Sequence, residues 1–254
     1  MSAGAAELAG KNVLVLGASR GMGRDTACLL AKRGAHVIAV SRDLAACEEA
    51  AAQIRQQAGQ CTPLQADASD PAQVAELFAT IEKQFGALHG AFNNVGKILG
   101  FGTISQATPD GFDETFRTNV GSTFFALHHE LHLIGRSGGG AIVVNAALAG
   151  MRPLPMIGMY GAAKAAAAHL GQVAAREGGP MQVRVNVITP GYIGTEAWIS
   201  KLGDQAAAKS EEVPLRRIGT GEDVAEVVAW LLSDRASYVS GAVIPVDGGL
   251  GTVI

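Results

Sequence analysis

Short runs of Val, Ile, Leu and Ala recur along the chain and alternate with longer stretches of helical periodicity. The strand-like runs are 12–17, 35–41, 62–66, 88–93, 141–146, 182–188 and 242–246. The first, second, fifth and sixth of these are nearly continuous in apolar residues. That suits strands of a parallel sheet buried on both faces. Helical spacing predicts helices over 22–33, 44–57, 71–85, 109–134, 159–176 and 222–232. Gly34, Gly59 and Gly86 supply stops, and Asp70-Pro71 supplies a start, with Asp as N-cap and Pro in the first helical position. Regular alternation predicts an α/β fold: one Rossmann-type, doubly wound parallel sheet of seven strands with right-handed crossovers. No shift of composition marks a linker, so residues 1–254 are expected to form a single domain. The least regular stretch, 191–214, follows a strand and is expected to be a substrate lid.

Composition narrows the partners. The chain has 254 residues, is 48% hydrophobic and carries a net charge of −3 with scattered basic residues. No basic patch points to nucleic acid or to an anionic membrane. Cys28, Cys47 and Cys61 form no metal-like cluster and are expected to be small buried residues. The segment 1–10 is Ala-rich without a basic flank, and no apolar run is long enough to span a bilayer. A cytoplasmic location is the expectation.

Gly17-Ala18-Ser19-Arg20-Gly21-Met22-Gly23 joins the first strand to the first helix. Gly17 allows the tight turn, Gly21 lets the backbone approach a pyrophosphate, and Gly23 lets the helix pack on the strand. The helix amino terminus then favours the anion. Far along the chain, Tyr160 and Lys164 stand four residues apart, on one helix face. An ammonium beside a phenol favours the phenolate and lowers its pKa, which gives a proton donor and acceptor near neutral pH.

These segments do not stand alone. The Gly17–Gly23 loop is followed in order by Asn93-Asn94-Val95-Gly96, Asn119, Tyr160 with Lys164, Pro190-Gly191-Tyr192-Ile193-Gly194-Thr195, and Val246-Asp247-Gly248-Gly249. Together they resemble the short-chain dehydrogenase/reductase family over roughly residues 10 to 250. The resemblance implies a strand order of 3-2-1-4-5-6-7 and a nicotinamide cofactor. It further implies that Asp67 approaches the adenine amino group with Ala68 beside it, and that Asn93, Val95 and Gly96 lie against the adenosine ribose. Lys164 would bond the nicotinamide ribose, and Pro190, Gly191, Ile193 and Thr195 would border the carboxamide. Asp67 could instead cap the following turn. In the family Tyr moves the proton, Lys lowers its pKa, Asn holds a water, and a Ser steadies the substrate oxygen. Here the serine position, thirteen residues before Tyr160, is Ala147, and no Ser or Thr lies between Asn145 and Tyr160.

Cofactor choice turns on the end of the second strand, where a carboxylate would bind a ribose 2′-hydroxyl and repel a 2′-phosphate. That position is Ser41, followed by Arg42, and Arg20 in the glycine loop is a second cation. Two guanidiniums can clamp a phosphate, which predicts NADP(H); two solvated surface arginines are the other reading. Asp43 is expected to cap the next helix. The expected activity is NADP(H)-dependent hydride transfer between nicotinamide and a small carbonyl or secondary alcohol, with Tyr160 as acid/base. The alternative, left open by Ala147, is an NADP-binding protein with little or no catalysis. His128, His129 and His132 around Glu130 lack zincin spacing, so no metal is expected, and they are read as a solvated or interface face. Trp198 could line a pocket or pack on the lid base. The family resemblance, with the Ala-rich helix around Tyr160 and the tail Gly248–Ile254, implies a homotetramer or homodimer.

Overall fold

In the computed structural model, seven strands form one sheet in the order β3-β2-β1-β4-β5-β6-β7, and every neighbouring pair is parallel. Described are residues 7–203 and 205–252, leaving aside the side chains of 197, 201 and 202. Of the segments singled out above, positions 1–6, 204 and 253–254 lie outside the described residues. The strands are β1 Asn12–Leu16, β2 His36–Ser41, β3 Gln60–Gln65, β4 Gly90–Asn93, β5 Gly140–Asn145, β6 Val183–Pro190 and β7 Val243–Val246.

Why the sheet is buried on both faces can be read from β1. Val13 and Val15 enter one apolar cluster with Val37, Leu30 and Val228. Leu14 and Leu16 enter the other with Ile38, Phe78, Leu127 and Val187. Alternate side chains of one strand thus feed two cores, the pattern of a doubly wound sheet. Helices α1 Gly21–Lys32, α2 Leu44–Gln56 and α10 Gly221–Leu232 contribute to the first core. Helices α3 Pro71–Phe85, α5 Ser122–Arg136 and α7 Gly158–Gly178 contribute to the second.

Local chemistry sets the helix ends. Asp70 accepts from the amides of Ala72 and Gln73, Pro71 opens α3, and Gly86 closes it at φ +70°. Asp43 caps α2 by accepting from Ala46 N at 3.1 Å.

The long helix expected over 109–134 is in fact interrupted. α4 Pro109–Phe116 runs into a π-helical turn, Arg117–Gly121, before α5 begins. A π turn holds one residue more than an α turn, and periodicity averaged over the whole stretch hides it. The stretch 191–214 carries two short helices, α8 Glu196–Leu202 and α9 Gln205–Glu212. Between β5 and α7 lies α6, Leu148–Met151.

Register fixes which loops meet. Leu16 lies opposite Val40 and Asn93, and Asn93 opposite Val144. The loops leaving β1, β2, β4 and β5 therefore emerge along one edge. The chain order reverses between β1 and β4, and that edge is where ligands of such sheets sit.

Candidate functional site

The turn after β1 is built for close approach. Gly17 has φ +80°, and a Cβ on Gly23 would lie 2.0 Å from the Gly17 carbonyl oxygen. The amides of Gly17 and Ala18 donate to Val40 O at 2.8 and 3.1 Å, which ties the loop to β2. Arg20 stands at the N-cap of α1 without a side-chain cap, and no acidic residue occupies the first turn. The first amides of α1 are thus left for an anion. Ser19 is half-buried, Arg20 is exposed, and Met22 packs against the core. Thr195, the N-cap of α8, brings its Cγ2 to 3.1 Å from where a Cβ of Gly21 would be. The strip after β6 thus closes on the glycine loop.

At the end of β2, Ser41 Oγ donates to Asp43 O at 2.7 Å. The Arg42 guanidinium is exposed and lies 3.7 Å from Asp67 Oδ2. Asp67 Oδ1 accepts from the amide and hydroxyl of Ser69 at 2.9 and 2.7 Å, so the carboxylate does cap its own turn. Ala68 is buried beside it.

The chemistry-bearing cluster lies after β4 and β5. Lys164 is buried, and its Nζ donates to Asn145 O at 2.8 Å. The same Nζ is 5.9 Å from the centre of the Tyr160 ring. Burial pushes Lys164 down to about 8 and Tyr160 up to about 12. The expected lowering of the phenol by the lysine is therefore not the balance found here: desolvation of the phenolate outweighs an ammonium bonded elsewhere.

Asn119 sits in the π turn, fully buried. Its Oδ1 accepts from Lys97 N at 3.0 Å, and its Nδ2 donates to Lys97 O and Thr115 O, both at 3.0 Å. A Cβ on Gly96 would fall 2.6 Å from Lys164 Nζ and 2.9 Å from Asn119 Oδ1. Residues 96, 119 and 164 thus converge on one point, one helical turn from Tyr160. Ala147 follows β5 as the N-cap of α6, 8% exposed and with only a methyl to offer.

Some structural partners in this region escaped the sequence reading. Asn145 Nδ2 donates to Asn94 Oδ1 at 2.7 Å, and Asn94 Nδ2 donates to Gly17 O at 3.3 Å. The glycine loop and Lys164 are thereby linked through two residues, Asn94 and Asn145. An Asn ending a strand of Ile and Val was the available signal. Asn93 turns its side chain away from this edge and donates to the buried Glu130 at 2.8 Å.

Beyond Pro190, the last residue of β6, Gly191 packs on Asp247. Ile193 is buried and pairs with Gly219. Tyr192 donates its hydroxyl to Glu212 Oε2 at 2.9 Å and stacks on Trp198 at 5.5 Å. Lys209 Nζ bonds the other Glu212 oxygen at 2.7 Å. Trp198 thus packs against Tyr192. Among the histidines of α5, His129 stacks on Phe78, while His128 and His132 are exposed. No helix of the described residues is long and apolar enough to cross a membrane.

The glycine cradle, the uncapped α1 amides and the open strand edge fit a dinucleotide. Residues 17–251 match the family described as enoyl-(acyl carrier protein) reductase. Cyclohexanol dehydrogenase of Acinetobacter sp. is 34% identical over 238 residues, covering 94% of each chain. Versicolorin reductase 1 of Aspergillus parasiticus is 35% identical, over 95% of this chain and 97% of its own. The solved structure of levodione reductase superposes with a TM-score of 0.92 at 31% identity, over 97% of this chain and all of that one. The fold, the glycine loop and these relatives converge: the chain belongs to the short-chain dehydrogenase/reductase family of oxidoreductases.

Proposed function

We propose that the protein is an NADP(H)-dependent oxidoreductase that interconverts a carbonyl compound and a secondary alcohol. The observation that carries this is the buried Lys164, packed against Gly96 and Asn119 one turn from Tyr160. A buried lysine is costly unless something uses it.

In this reading the backbone of Gly17, Ser19, Gly21, Met22 and Gly23 holds the pyrophosphate. Ser41, Arg42 and Arg20 take the 2′-phosphate. Asp67 and Ala68 border the adenine, and Asn93 through its backbone, Val95 and Gly96 border the ribose. Lys164 holds the nicotinamide ribose, and Pro190, Gly191, Ile193 and Thr195 border the carboxamide. The bound nicotinamide supplies or accepts the hydride. Tyr160 gives its Oη proton to the substrate oxygen, or takes it in the reverse direction. Asn119 has its side chain committed to Lys97 and Thr115, so a proton-relaying water would rest on its main-chain carbonyl.

The test is NADPH oxidation over a carbonyl panel, with cyclohexanone among the substrates because one relative is named for cyclohexanol. Tyr160→Phe should lower turnover by about 10²–10⁴. Ala147 is the observation on the other side. A chain that only binds NADP(H) would show tight binding and no oxidation of any carbonyl.

Three further parts belong to the same reading. Segment 191–214 acts as a lid, latched by Tyr192 and Glu212, and its amide exchange should slow when NADPH binds. The subunits form a homotetramer through α5, α7 and the carboxyl-terminal strand β7, which light scattering at micromolar concentration would test. The three cysteines are free, which suits a reducing cytoplasm.

A further inference from the structure

Beneath β4 the interior holds an acidic side chain with no cation to meet it among the described residues. Glu130 occupies the inward face of α5 beside Ala126, Leu127, Leu133 and Ile134, and it is 0% exposed. Asn93, at the carboxyl end of β4, donates from Nδ2 to Glu130 Oε2 at 2.8 Å. The other carboxyl oxygen, Oε1, and the other amide atom, Oδ1 of Asn93, are both buried and both lack a hydrogen-bond partner. Two unused acceptors thus remain on the two halves of a single contact. An ionised carboxylate has no hydrogen to place between them, and both would stay unsatisfied at a substantial cost. A protonated one has a hydrogen to give. Amide and carboxylic acid then complement each other in a ring, with N–H to oxygen on one side and O–H to oxygen on the other.

The electrostatics agree with this geometry. Burial raises the Glu130 carboxyl to about 8, and the bond from Asn93 is the opposing influence. The local connections show what such a pair would hold. Asn93 is opposite Leu16, the last residue before the glycine loop. Three residues later comes Gly96, with no room for even a methyl against Lys164 Nζ. A shift of the β4 end would displace both.

We propose that Glu130 is a positioning residue, held as a neutral acid, which closes a reciprocal pair with Asn93 and so fixes the strand end that carries Val95 and Gly96 to the cofactor. The consequence for binding rests on the reading of that edge as the NADP(H) site; the pair itself does not.

Two measurements separate these. The infrared difference spectrum of the parent minus Glu130→Gln, at neutral pH and without cofactor, should contain a carboxylic-acid C=O band. Glutamine can rebuild the same ring, its amide donating to Asn93 Oδ1. Glu130→Gln should therefore bind NADPH within about threefold of the parent. Glu130→Leu leaves the Asn93 amide unpaired and should weaken binding about tenfold or more. A difference spectrum with carboxylate bands alone overturns the proposal. So does a Glu130→Gln variant that loses as much NADPH affinity as Glu130→Leu. If Glu130→Leu does not fold, the infrared band and the affinity of Glu130→Gln still decide. If the acid band is present but no form binds NADP(H), the pair stands and the cofactor reading falls.

Discussion

Lys164 donates from Nζ to the main-chain carbonyl of Asn145 at 2.8 Å, and the side chain of that same Asn145 reaches the other way, to Asn94. The two ends of Asn145 can therefore be separated by mutation. Asn145→Ala keeps the carbonyl that holds Lys164 and removes the brace on Asn94 and the glycine loop. Losing such a buried bond costs about 1–3 kcal/mol. NADPH affinity should fall about fivefold to a hundredfold, with kcat at saturating cofactor changing far less. Isothermal titration beside steady-state kinetics checks this; a loss confined to kcat would contradict it.

In the proposed reading, Ala147 places a methyl where the substrate oxygen would meet a second donor. Ala147→Ser should raise kcat on an activated ketone by about 10². The new bond strengthens as negative charge develops, so kcat should respond more than KM. NADPH affinity should hardly move. A kcat within about threefold of the parent would mean that another donor already serves the oxygen.

The exposed Arg42, 3.7 Å from Asp67, is free to turn toward a phosphate because a surface pair of that length contributes little. Arg42→Ala should weaken NADPH by about 1.5–3 kcal/mol, the worth of a charged hydrogen bond, and leave NADH nearly unchanged. Dissociation constants for both cofactors at one salt concentration decide the point. Equal or tighter NADH binding by the parent would refute the assignment.

Glu130 also predicts how stability varies with pH. Its carboxyl titrates at about 8 in the folded chain, against an ordinary value of 4.5, because burial penalises the charge. Between these values the folded state keeps a proton that the unfolded state releases. This contribution is fully present below the ordinary value and is lost as pH rises toward about 8. The slope is at most about 1.4 kcal/mol per pH unit. Glu130→Gln has no proton to lose. Urea unfolding at pH 5 and pH 8 should show the parent losing stability relative to the variant, since other groups titrate alike in both. Parallel losses would show that Glu130 is ionised throughout.

Much of the architecture was legible because parallel strands buried on both faces are written as runs such as Val13–Leu16 and Ile142–Val144, and because Gly and Asp-Pro mark helix ends. Glycine-loop spacing and the Tyr160–Lys164 pair marked both ends of the proposed site. What stayed hidden depends on distance across the fold. Burial at Tyr160 decides its pKa, and burial is not a property of a four-residue spacing. Asn94 and Asn145 are fifty-one residues apart and meet only through strand register. Glu130 did leave a trace: an acid among Ala126, Leu127, Leu133 and Ile134, on the apolar side of its helix. The histidines beside it mask that trace, because they mark the same stretch as a solvated or interface face.

The π turn at 117–121 works as a phase adjuster. Asn119 lies within it and bonds Lys97 in the loop after β4, while Glu130 lies past it and bonds Asn93 at the end of β4. One residue more or less in an α-helix turns everything downstream by about 100°. Deleting Val120, without touching any group that binds or reacts, would swing Glu130 away from Asn93 and carry His128 into the place of the buried Leu127. The spare residue is what lets one rod serve two sites that an uninterrupted helix would leave out of step.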